Sequence, residues 1–125
     1  MAGERDDWNF AFEAPLHAAF PALHEAQNAW MSQLDSLPAP DRRTHELIRL
    51  ACTVILRNPP GVERHTRLAA EVGATWEEIL GSIMLTCPGF GLLPAVEAIP
   101  HAERGFQAAP APEEEEEEDG DDGDR

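Results

Sequence analysis

The stretch THELIRLACTVILRNPPGVERHTRLAAEVG, residues 44–73, decides the fold. Its first half carries Leu47, Ile48, Leu50, Ala51, Cys52, Val54, Ile55 and Leu56, so apolar side chains fall on nearly every side of a helix. A helix of that kind over 43–56 is expected at the centre of the chain, buried on most faces. Asp41 is placed to cap its first turn, and Asn58-Pro59-Pro60-Gly61 stops it. A second helix is expected over 61–72, with Val62, His65, Leu68, Ala69 and Val72 on one face. Gly73 then stands where a helix C-terminus favours a residue without a Cβ.

The flanking segments also have helical spacing. Leu16, Phe20, Leu23, Trp30 and Leu34 step by threes, fours and a seven along one face, with Pro21 suited to a first helical turn. That helix is expected to end near Leu37, ahead of the breaker PAPD at 38–41. Thr75-Trp76-Glu77-Glu78 has the pattern of a capping box. Ile79, Leu80, Ile83, Met84 and Leu85 follow, and Pro88-Gly89 is expected to break the helix they form. A short helix over Phe90 to Ile99 is expected next, ended or kinked by Pro100, with a final turn to about Phe106. With no strand alternation and no internal repeat, the expected fold is all-α, of five or six helices. Residues 1–7 are expected to be flexible, 8–106 to form the domain, and 107–125 to be a disordered Pro/Ala linker with an acidic tail.

The charge is unevenly spread. The chain of 125 residues has a formal charge of −15, yet the tail from Glu113 to Arg125 holds −9 of it and the body only −6. There is no lysine, and the body lacks the clustered basic residues that phosphate binding needs, so nucleic acid is not an expected partner. No run of eighteen apolar residues is present, so no membrane span is expected. The opening MAGERDDWNF has no apolar signal core, and the cytoplasm is the default expectation. Cys52 and Cys87 lie far apart in apolar settings; they are expected to be small core residues, not a disulfide. No cofactor and no metal are expected, because His17, His24, His45 and His101 lack metal-ligand spacing. Trp30 and Trp76 are expected to pack.

Two residues in the central stretch carry possible chemistry. Glu46 opens the first helix and His65 lies on the apolar face of the second. Brought together, a carboxylate would fix the imidazole tautomer and raise its basicity, making a general acid/base pair. Spacing alone favours a plainer reading: a satisfied core histidine, and a glutamate placed by the helix dipole.

The sequence resembles the carboxymuconolactone decarboxylase family, whose superfamily includes the AhpD-like alkylhydroperoxidases. The resemblance runs from about Leu34 to Ala102. It rests on Glu46-Leu47-Ile48, His65, Gly73-Ala74-Thr75 and Glu78-Ile79, followed by Pro88-Gly89-Phe90-Gly91 and Pro94-Ala95. It implies catalytic roles for His65 and Glu46, which stand nineteen apart as in the peroxidase branch. In that branch two cysteines occur where this chain has Asn58 and Gly61. Disulfide-cycling peroxidase chemistry is therefore not expected, and the decarboxylase-type branch is the better match. The tyrosine of the family's segment near residue 90 is absent, since the chain has none. The resemblance further implies a small carboxylate or lactone ligand, with Arg49, Arg57, Arg64 or Arg67 as its cation and Arg64 and Arg49 foremost. It also implies a homo-oligomer, trimeric or hexameric. The alternative is a non-catalytic module of the same fold that binds a small ligand or a protein.

Overall fold

Helices account for the fold of residues 13–110, the part that the computed structural model describes, and no strand occurs among them. They are α1 (Ala14–Ala19), α2 (Pro21–Asp35), α3 (Arg42–Ile55), α4 (Pro59–Glu71), α5 (Trp76–Met84), α6 (Cys87–Phe90) and α7 (Leu92–Ala108). Six of these have six residues or more, and α6 is a single turn. The expectations for residues 1–7, and for the tail beyond residue 110, lie outside the described residues. The chain falls into two compact units divided between Pro38 and Ala39.

The first unit contains α1 and α2, which meet at Phe20, a residue with extended-side dihedrals between two helices. Pro21 opens α2 as the sequence suggests, because a proline in the first turn gives up no helical hydrogen bond. Glu13 ties the pair together: its carboxylate accepts from His24 at 2.8 Å and from Gln27 at 3.2 Å. The rings of His17 and His24 meet edge to face at 5.1 Å. Trp30, expected to pack, is exposed along with Phe20 and Leu23.

The second unit is organised by α4, which packs chiefly against α7 and α3. Its core is Leu50 and Val54 of α3, Val62 and Ala69 of α4, Ile79 and Ile83 of α5, and Ala95, Ala98 and Ala102 of α7, with Ala74. Trp76 and Phe106 pack beside it, their rings tilted to one another at a separation of 5.6 Å. Local signals place the helix ends. Asp41 accepts from the Thr44 amide at 2.8 Å. Thr75 and Glu78 exchange side-chain and backbone bonds at 3.1 and 3.0 Å, a complete capping box. Gly73, at φ +100°, closes α4 with bonds from its own amide to Ala70 and from Ala74 to Ala69.

Three expectations need correcting. The helix α3 is not buried on most faces: Glu46, Leu50 and Val54 turn inward, while Ile48, Cys52 and Leu56 form an exposed stripe four residues apart. One packed face uses only part of a helix surface. Cys52 is thus exposed, and Cys87 is partly buried against the core. Finally, Pro88-Gly89 does not simply end a helix but lies inside α6, and the expected short helix at 90–99 is the long α7, which continues through Pro100 to Ala108. Proline removes one amide bond from the ladder, but its ring faces solvent. The buried stripe Ala95, Ala98, Ala102 and Gly105 holds both halves of α7 against the core.

Candidate functional site

The site is built where the start of α3 faces the middle of α4. Glu46 sits in the second turn of α3, on the same inward stripe as Leu50 and Val54, and its side chain is 1% exposed. His65 lies one turn beyond Val62 on α4 and is 12% exposed. The two meet: His65 Nδ1 donates to Glu46 Oε1 at 3.0 Å. With the Nδ1 proton held by the carboxylate, the neutral ring presents an unprotonated Nε2. No hydrogen bond from that atom to the described residues is present.

The other carboxylate oxygen faces arginine. Arg42 Nη2 stands 3.4 Å from Glu46 Oε2, and Arg49 Nη1 stands 3.8 Å from it. Burial pushes the Glu46 carboxyl up, but the hydrogen bond and charge of His65, with Arg49 and Arg42 beside it, outweigh that and hold it below the usual glutamate range. The glutamate is therefore an anion at neutral pH, able to orient the ring and to stabilise an imidazolium once His65 has taken up a proton.

Of the four arginines considered as a ligand's cation, Arg49 is engaged with Glu46. Arg64 precedes His65 on α4 and is partly buried. Arg67 pairs with Glu71 at 3.0 Å one turn along its own helix, an exposed pair of small energetic consequence. Arg57 lies at the turn between α3 and α4, paired with Glu97 at 3.1 Å. Arg42 went unrecognised in the sequence, although its i,i+4 spacing from Glu46 is the usual signal for such a contact.

Asn58 and Gly61, where the family resemblance would put the peroxidase cysteines, have structural duties. Asn58 Oδ1 caps α4 by accepting from the Gly61 amide at 3.3 Å. A Cβ at Gly61 would approach Thr53 Cγ2 to 2.7 Å and Asn58 Nδ2 to 2.9 Å, so α3 and α4 close over that position. A cysteine there would need Thr53 to move. Among the described residues, no group of three His, Cys, Asp or Glu side chains is arranged to hold a metal ion.

A pocket of about 300 Å³ opens elsewhere in the second unit, at the corner of α3, α4 and α7; neither Glu46 nor His65 lines it. The fold and site together define an all-helical protein with a buried carboxylate–imidazole couple. No family model, curated protein or solved structure matches the chain. No helix among the described residues is long and apolar enough to cross a membrane.

Proposed function

We propose that this chain is a carboxymuconolactone decarboxylase-like protein in which His65 exchanges a proton with a small carboxylated or lactone substrate and Glu46 orients the ring. The 3.0 Å bond between His65 Nδ1 and Glu46 Oε1 carries this reading. It offers what enolisation beside a carbonyl needs: a base whose tautomer and ring orientation are fixed by a buried carboxylate. Arg64, adjacent to His65 on α4, is the group assigned to the substrate's carboxylate. Arg49 supports the site from the other side by keeping Glu46 ionised. A thiol peroxidase is disfavoured by the same positions, since Asn58 and Gly61 supply no redox pair.

A second reading, a binding module without chemistry, is favoured by one observation: the pocket at the α3–α4 corner lies apart from Glu46 and His65. Ligand-induced melting shifts separate the two readings. A panel of small dicarboxylates and lactones is expected to raise the melting temperature of the native chain and to lose that effect in His65→Ala. A shift that survives His65→Ala unchanged places binding elsewhere and favours the module.

A further inference from the structure

The turn from α3 to α4 contains a costly residue. Helix α3 ends in the same two-bond closure as α4, with Arg57 N bonded to Val54 O and Asn58 N bonded to Thr53 O, both at 3.0 Å. At the end of α4 the left-handed position of that closure is Gly73, but at the end of α3 it is Arg57, with φ +53°. A residue with a Cβ pays about 1 kcal/mol to sit there. A left-handed arginine is a reason to ask what its side chain does.

Arg57 lines the 300 Å³ pocket, and its side chain is paired with Glu97, another lining residue. Val54, Val62, Pro94 and Ala98 give that pocket its apolar lining, and Glu97 and His101 join Arg57 as its charged and polar groups. The start of α4 also borders it but has little to offer an anion. Pro59 and Pro60 have no amide hydrogen, the Gly61 amide is taken by the Asn58 side chain, and the Val62 amide by the Asn58 carbonyl. The charged donor lining this corner is therefore the Arg57 side chain, with Asn58 and His101 as polar neighbours. Beside it, Arg57 Nε and Glu97 Oε1 stand 3.1 Å apart, each side chain about half exposed at 51% and 49%. His101, one turn after Glu97, accepts a bond at Nδ1 from Arg104, which leaves its ring proton on Nε2.

We propose that this pocket binds a free α-amino acid with an apolar side chain. Its carboxylate lies on Arg57, its ammonium on Glu97, and its side chain against Val54, Val62 and Ala98. A simple anion would draw Arg57 from its partner and leave the Glu97 carboxylate facing it. A simple cation would do the reverse. A zwitterion replaces the pair group for group, and the apolar lining then selects for a hydrocarbon side chain. The volume is at the small end for ligand sites, which suits a molecule of this size. This site does not depend on the Glu46–His65 reading.

The test is a titration of the isotopically labelled full chain, followed by amide NMR. The probes are L-leucine, 4-methylpentanoate, 3-methylbutylamine and glycine. L-leucine is expected to give saturable shifts at residues 54–62 and 94–101. The compounds lacking the amine, the carboxylate or the side chain are expected to bind at least about tenfold more weakly, the loss of one charged contact or of the apolar burial. Arg57→Gly is expected to melt no lower than the native chain, because glycine relieves the left-handed strain, and yet to lose leucine binding. Glu97→Gln is expected to erase the preference for leucine over 4-methylpentanoate. The proposal is overturned if leucine gives no saturable shift, if 4-methylpentanoate binds as well as leucine, or if Arg57→Gly binds leucine as the native chain does.

Discussion

Glu46 is where the residue scale matters most. One carboxylate, almost wholly buried, answers two guanidinium groups, Arg42 and Arg49, and the imidazole of His65. Its folded pKa is lowered from an ordinary value near 4.5. The unfolded chain therefore takes up a proton at Glu46 before the folded chain does. The resulting stability is fully present above the ordinary value and is lost as the pH falls through the lowered one. In Glu46→Gln this part of the acid sensitivity is expected to vanish. At neutral pH the same variant is expected to lose about 2–3 kcal/mol, since two arginines and a histidine lose their buried counter-charge. Urea denaturation across the acid range checks both effects; an acid slope unchanged in Glu46→Gln would show that the carboxylate is not held ionised as described. In the sequence, a helix start and an apolar stripe favoured the plainer reading of each residue, and only the family resemblance singled them out as a pair. Arg42 was missed because the capping reading of the first turn left its i,i+4 contact unweighed. The left-handed conformation of Arg57 has no composition signal at all, since the residue normally chosen there is glycine.

Among the elements, the capping signals held, as did the breakers PAPD at 38–41 and Asn58-Pro59-Pro60-Gly61, while Pro88-Gly89 and Pro100 did not act as expected. Asp41, Thr75 with Glu78, and Gly73 act through backbone amides and carbonyls within a few residues, so their meaning is local and readable. Pro100 misled because its cost is met by packing that is not local. The α4 and α7 backbones approach closely at Gly105, where an added Cβ would run into the Glu63 carbonyl and stand 3.1 Å from Thr66 Cβ. Gly105→Ala is therefore expected to push α7 from α4 and to cost about 1–3 kcal/mol, an overpacking penalty. Chemical denaturation reads this directly, and an unchanged midpoint would mean that the helices are not in such close contact. The burial of α3 was likewise misjudged, and small alanines line the packed side of α7.

For the whole molecule, the all-helical class followed from periodicity and from the want of strand alternation, and the described residues agree. What periodicity could not say is which apolar residues remain outside the fold. Leu56 and Leu85 are 73% and 79% exposed, and Ile48, Phe90, Leu92 and Leu93 are also exposed. Under the proposed family reading, other copies of the chain would cover such residues. Sedimentation is expected to give a mass of three or six chains, falling toward the monomer's 13.7 kDa in Leu85→Glu. A monomer for the unaltered chain would contradict that assembly. The proton-transfer reading has its most direct test in deuterium exchange. Small lactones and dicarboxylates are incubated with the protein in D2O and followed by proton NMR at the carbon beside the carbonyl. Deuterium incorporation into at least one of them by the native chain is expected, at a rate that falls more than about a hundredfold in His65→Ala, the usual scale for loss of a general base. Incorporation that is absent throughout the panel, or equally fast with His65→Ala, would contradict that reading.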